Sequence, residues 1–269
     1  MGVGRKSAIL IALVVGSPVP WGLCAQNSDA NASAAAGSAR TAAPTDFTGQ
    51  WISVVTEDWR YRMILPKKGD YAGVPLSALG RKLAGNWDPA EDEAAGEQCR
   101  SYGAPGLLRI PGRIRISWAD DDTLKLETDA GTQTRLLYFK EPKSAGGDWQ
   151  GRSEASWERM NTRAGTGGPN FGGGTGQPLS RPVQFSGALQ VITTRLRPGY
   201  LRKNGALYSD KTALTEYYDR TNEPDGDSWL VVKTIVDDPV YLSEEFITST
   251  HFKKQKDESG WNPSPCSSR

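Results

Sequence analysis

The chain has 269 residues, with 32 Lys+Arg against 31 Asp+Glu, one histidine and three cysteines. So even a balance argues against a nucleic-acid partner or an anionic membrane held by bulk charge. One histidine without a Cys/His cluster excludes a zinc site of ordinary ligand type, and no cofactor is expected.

Residues 1–25, MGVGRKSAILIALVVGSPVPWGLCA, begin with Arg5 and Lys6, continue through an apolar run from Ala8 to Val15 and end Leu23-Cys24-Ala25. These are the parts of an export signal peptide cleaved after Ala25, which places the mature chain in the periplasm or outside the cell. The run is too short to span a bilayer, so no stable membrane insertion is expected. Lipidation of Cys24 would ask for a small residue where Leu23 stands. Without Arg5 and Lys6 the balance is 30 basic to 31 acidic side chains.

Loss of the leader leaves Cys99 in GEQCRSYG and Cys266 in NPSPC. An even pair in an oxidising compartment suggests a disulfide, the alternative being two buried thiols. Closing a loop of more than a hundred residues would contribute roughly 4 to 5 kcal/mol in the chain-entropy account.

Residues 26–45, QNSDANASAAAGSARTAAPT, are small and polar without apolar periodicity and read as a disordered linker. The folded domain is expected over 46–266. Its first segment, DFTGQWISVVTEDWRYRM, read with period 2, sets Trp51, Val55, Trp59, Tyr61 and Met63 on one face of a strand, with Glu57 among them. A desolvated carboxyl there would have a raised pKa and suit general acid or base work. A bulge turning Glu57 outward, or a structural ion pair, is the simpler reading.

Residues 77–100 predict a short helix on each side of Trp87-Asp88-Pro89. The rest alternates: RIRISW (113–118), TLKLET (123–128), TQTRLLYF (132–139), ALQVITTRLR (188–197), TALTEYY (212–218), WLVVKTIV (229–236) and EFITSTHF (245–252). Turn signals separate them at Asp129-Ala130-Gly131, Pro198-Gly199, Asn204-Gly205 and Pro224-Asp225-Gly226. ADDDT (119–123) lacks the spacing of a calcium loop and reads as a turn. Residues 161–187 are glycine-rich, match no phosphate loop and read as a flexible insertion. The fold expected is all-β, mainly antiparallel, a lipocalin-like barrel or a sandwich with a short helical segment.

Further candidates lie on the strands. Asp238 follows the apolar face of WLVVKTIV toward a barrel mouth, although a turn before Pro239 explains it too. His251 shares a strand face with Ile247 and Ser249, and its ordinary titration range suits proton transfer. Glu216 sits between Leu214 and Tyr218 on an apolar face. Trp51, Trp59, Tyr61, Trp118, Tyr208 and Glu216 are the candidate ligand lining, and Glu57, His251 and Asp238 the candidate proton-transfer groups. The expected function is binding of a small apolar or aromatic molecule in a barrel cavity. The alternative is a cofactor-independent lyase, isomerase or hydratase acting on such a molecule.

The motif Gly49-Gln50-Trp51 resembles the opening of lipocalins and related barrels. That resemblance implies a tryptophan closing one barrel end under a basic residue of the last strand, here Lys253 or Lys254. More broadly, the chain resembles an uncharacterised family of bacterial exported proteins, in DFTGQW, WDPAEDEAAGEQCRSYGAP, DTLKLETDAGTQTR, WQGRSEASWE, RPGYLRKNGALYSD and THFKKQKDESGWNPSPC. A more divergent group carries His where this chain has Tyr208 before Ser209-Asp210. The resemblance implies export and a shared fold and supplies no activity.

Overall fold

The computed structural model describes Met1, residues 37–159 and residues 185–269. The rest of the expected export signal, linker residues 26–36, residue 160 and insertion residues 161–184 lie outside the described residues. The strands are β1 (Gly49–Val54), β2 (Arg113–Asp120), β3 (Thr123–Thr128), β4 (Thr134–Tyr138), β5 (Arg152–Arg159), β6 (Phe185–Thr194), β7 (Gly199–Arg202), β8 (Ala206–Tyr208), β9 (Ala213–Asn222), β10 (Ser228–Asp237) and β11 (Phe246–Lys254). Short helices α1 (Trp59–Arg62), α2 (Ala78–Ala84), α3 (Pro89–Ala94) and α4 (Ala104–Leu107) fill the stretch between β1 and β2, with a 3-10 turn at Gln98–Tyr102.

Nine strands close a barrel in the order β1-β11-β10-β9-β6-β5-β4-β3-β2, while β7 and β8 form a separate two-stranded sheet. An odd number of strands cannot alternate in direction around a closed ring, so one neighbouring pair must be parallel. That pair is β4 and β5, joined at Leu137–Ser153 and Tyr138–Glu154. Residues 139–151 make the return connection, a length that parallel neighbours require. The barrel is therefore the expected mainly antiparallel all-β fold, with the parallel seam as its one departure.

All nine barrel strands send side chains to one interior core, including Trp51, Ile116, Leu126, Leu137, Trp157, Val191, Tyr218, Val232 and Phe252. The alternation that fixes this is plain in β11, where Phe246, Thr248, Thr250 and Phe252 are buried and Ile247 is exposed. A second core, with Tyr71, Leu76, Ala84, Leu201, Tyr208, Leu214, Val236 and Phe246, packs the helices and β7–β8 against one end of the barrel. We call this layer the cap. Its β7–β8 turn has Gly205 at φ 83°, and a Cβ there would lie 2.3 Å from Trp87 Cβ, so glycine is required twice over.

The two predicted helices form, with Pro89 at the start of the second and Asp88 accepting from the Ala90 N–H at 2.9 Å. Cys99 and Cys266 are joined by a disulfide with 5.1 Å between Cα atoms, which ties the C-terminal tail to the cap.

Three sequence expectations need correction. The first strand stops at Val54 instead of running to Met63. Asp58 adopts left-handed backbone (φ 49°), a conformation that asparagine and aspartate tolerate best, and α1 follows. Glu57 is therefore not on an aromatic strand face. Residues 37–45, expected in the linker, are pinned: the Ala39 N–H donates to Asp122 Oδ1 (2.9 Å) and the Trp157 indole donates to the Ala39 carbonyl (2.9 Å). At the other end of the glycine-rich insertion, residues 185–187 already belong to β6.

Candidate functional site

The turn at Asp58 has a structural consequence for three arginines. By reversing the chain it delivers Arg62, at the end of α1, into the protein, where it is buried. Arg109 arrives from the residues after α4 and Arg202 from the end of β7, and both are equally buried. With Lys203 they line a cavity of about 220 Å³ at the junction of cap and barrel. The opposite wall is apolar, built from Leu65, Pro66, Ile110, Pro111 and Leu201, with Tyr61 beside it.

These guanidinium groups are only partly compensated. Arg62 pairs with Glu57 and donates to the Arg109 carbonyl (2.9 Å) and Ser53 Oγ (3.0 Å). Arg109 pairs with Asp58 at 2.8 Å, but its Nη1 is buried without an acceptor among the described residues. Arg202 donates to the Ala72 carbonyl and lies 4.5 Å from the Tyr61 ring centroid. No carboxylate among the described residues lies within ion-pair distance of it, Asp58 and Asp70 attracting it only from further away, and its Nε has no acceptor. Burial first, and repulsion from Arg109 second, push the Arg202 guanidinium down to about 10. Burial likewise lowers Arg62, with Glu57 opposing. A buried cation destabilised in this way is relieved by an anion.

Arg62 also connects the cavity to the barrel's outer face. The Glu57 carboxylate that binds Arg62 lies with its other oxygen 3.3 Å from His251 Nδ1. Thr56 bridges them, donating to Glu57 Oε2 (2.9 Å) with its hydroxyl 2.7 Å from Nδ1. Across the ring, Nε2 lies 3.2 Å from Ser249 Oγ. Two residues singled out by sequence, Glu57 and His251, are thus brought into contact from opposite parts of the chain.

The other candidates are scattered. Asp238 is buried at the barrel–cap junction, accepting from Thr212 Oγ1 (2.7 Å) and from the N–H groups of Ser209, Val240 (2.8 Å) and Tyr241 (2.9 Å). Burial opposes its ionisation, but these donors outweigh burial and hold the carboxyl below its ordinary range. It ties the β10–β11 connection to the loop after β8. Glu216 points into the barrel and takes two hydrogen bonds from Arg135, at 3.0 and 2.7 Å. Tyr208 is fully buried in the cap core, where burial raises its phenol well above the usual range. Trp51 lies inside the barrel end, its indole donating to the Phe47 carbonyl (3.0 Å), with Lys254 of the last strand 5.4 Å from its ring. Trp118 joins Phe139 and Trp157 in an aromatic cluster. Trp59 is 59% exposed on α1, and Tyr61 alone of the six candidate lining residues faces the cavity.

Sequence reasoning missed Arg109 and Arg202, and left Arg62 in a segment read as strand that forms helix α1. No period marks them: Arg62 closes the one-turn α1, Arg109 follows α4 and Arg202 ends β7. The available signal was Glu57-Asp58, which is poor strand material. No helix among the described residues is long and apolar enough to cross a membrane, and no group of His, Cys, Asp and Glu among them is placed to hold a metal ion. No protein-family model, curated protein or solved structure matches the chain.

Proposed function

We propose that this is an exported binding protein for a small molecule with an apolar or aromatic body and an anionic head, held in the cavity at the cap–barrel junction. One observation carries the reading: three buried arginines converge on an apolar-walled space with fewer carboxylates than cations among their partners. Such a site favours a ligand that brings its own negative charge, while Leu65, Ile110 and Leu201 take the body. A core of buried side chains occupies the barrel interior, which supports a site at the barrel's end over one along its axis. The exposed run Met63-Ile64-Leu65 supplies an apolar rim at the mouth. The leader, the disulfide and the absence of a spanning helix among the described residues accord with export.

Titration calorimetry with a series of small aromatic and aliphatic carboxylates, each beside its neutral amide, tests this. Carboxylates should bind saturably, and Arg202→Gln should weaken them by about tenfold or more, since a charged hydrogen bond contributes roughly 1.5 to 3 kcal/mol. Equal affinity for acid and amide, or binding indifferent to Arg202→Gln, refutes the anionic head. No saturable binding by any member refutes the site.

A further inference from the structure

The contacts around His251 determine which of its nitrogens carries the proton. Glu57, paired with Arg62, is a carboxylate and can only accept. The Thr56 hydroxyl has one hydrogen, and it goes to Glu57 Oε2 at 2.9 Å. The 2.7 Å contact between Thr56 Oγ1 and His251 Nδ1 then requires Nδ1–H as donor. In the neutral imidazole this leaves Nε2 bare, and the Ser249 hydroxyl 3.2 Å away donates to it. That tautomer is the one a general base needs: nucleophile, base and orienting carboxylate stand in sequence, each within hydrogen-bond reach.

We infer that Ser249 and His251 form a nucleophile–base pair, positioned by Glu57 and Thr56, that hydrolyses small carboxylic esters at the outer face of the barrel. Ser249 and His251 are two apart on β11 and so share a face. Both are partly exposed, which a substrate arriving from solvent requires. In the β10–β11 register Lys233 stands directly opposite Ser249, with its ammonium 4.6 Å from the Tyr217 ring on β9. The other charges around the ring are Arg62, buried behind Glu57, Lys253, two residues along β11 and paired with Asp227, and Asp219 on β9, opposite the Val231 that pairs with His251.

The chemistry balances with water as the only co-reactant. Ser249 Oγ attacks the ester carbonyl carbon as its proton passes to Nε2. The carbon–oxygen bond to the alcohol breaks, and the imidazolium protonates the departing oxygen. Water then attacks the acyl-serine, again giving a proton to Nε2, and the bond to Oγ breaks as the imidazolium returns that proton to Oγ, releasing the acid and restoring serine and neutral histidine. The open face suits short acyl groups and good leaving groups.

The test is reaction of the purified protein with a fluorophosphonate, followed by peptide mass spectrometry, together with p-nitrophenyl acetate hydrolysis. Ser249 should be the labelled residue. Ser249→Ala and His251→Gln should each lower the rate at least a hundredfold with unchanged thermal melting, since both side chains lie on the outer face. Glu57→Gln removes the carboxylate 3.3 Å from Nδ1 that steadies the imidazolium formed during attack, so it should lower kcat at least tenfold with KM unchanged, and Glu57→Asp should restore part of the rate, which a merely structural role would not do. Labelling at another residue, or a wild-type rate in Ser249→Ala, overturns the inference. A wild-type kcat in Glu57→Gln overturns the role given to Glu57.

Discussion

In the barrel, Arg135 meets Glu216 through two hydrogen bonds and reaches Thr193 Oγ1 at 3.2 Å; in the cap, Arg62 pairs with Glu57 and Arg109 with Asp58, while Arg202 has no carboxylate within ion-pair distance among the described residues. Both regions bury arginine to a similar degree, yet only one balances its charge. Burial opposes the charge of Arg135, but Glu216 outweighs it and holds the guanidinium above its ordinary value, whereas Arg202 falls below its own. The difference separates an ion pair that belongs to the fold from a group of cations that the fold tolerates. Matched charge inside a closed barrel specifies which strands meet, because Arg135 and Glu216 come from β4 and β9, which are not neighbours in the barrel. Unmatched charge at a cavity invites a ligand.

The largest effect that would sharpen this contrast is opening the disulfide. Cys99 and Cys266 are 167 residues apart, so the chain-entropy account gives about 5 kcal/mol for their bond. The bond holds the tail against the segment that leads through α4 to Arg109, in the cap and not in the barrel ladder. The double variant Cys99→Ser/Cys266→Ser should lower stability by several kcal/mol in denaturant titration, and hydrogen exchange should rise first over residues 98–110. Uniform loss of protection across β9, β10 and β11 would show that cap and barrel do not differ in this respect.

Next comes the barrel pair. Arg135→Met alone leaves Glu216 as an uncompensated carboxylate with essentially no exposure, and should cost roughly 3 to 5 kcal/mol. Glu216→Leu alone should cost a similar amount. The double variant should recover most of the loss, because two apolar side chains can replace a buried pair at little cost. Additive losses in the cycle would mean that the two residues do not act as a pair, and the contrast with the cap would fall.

Much of the barrel was legible in the chain, and the reason is periodicity. All seven segments read as alternating, from RIRISW to EFITSTHF, overlap barrel strands, because a half-buried strand must alternate to place its apolar side chains inward. β5 was passed over: in RSEASWER the inward residues are Ser153, Ala155 and Trp157, two of them small, so the alternation carries little hydrophobic contrast. Leu136 was misleading in the opposite sense, exposed on β4 while Arg135 beside it points inward. Glu216 was conspicuous between Leu214 and Tyr218, yet its partner stands 81 residues away and nothing local announces it.

The cap was far less legible. Two of its four helices, α2 and α3, showed on either side of Trp87-Asp88-Pro89, but its cavity is assembled from α1, α4 and β7, none longer than four residues. A period cannot be read over one turn. The strand predicted through Glu57 failed for the same reason: a few correctly spaced aromatic residues imitate a strand, while the left-handed turn at Asp58 is decided by partners elsewhere, Arg109 among them. The contact between Glu57 and His251 depends on that turn, so no reading confined to either segment could reach it.

The smallest effect is the most discriminating. Arg202→Met removes a buried cation, the repulsion it shares with Arg109 and its stacking over Tyr61 at 4.5 Å. The stacking is worth about 0.5 to 2 kcal/mol. Relief of desolvation and of like-charge repulsion acts in the opposite direction. Methionine also keeps an unbranched apolar stem in place of the arginine stem. The two contributions should nearly cancel, leaving unfolding free energy within about 1 kcal/mol of the parent, far below the loss expected for Arg135→Met. Denaturant titration of the two variants side by side measures this. A penalty for Arg202→Met equal to that for Arg135→Met would make Arg202 part of the framework, and the cavity charge would then need no ligand to account for it.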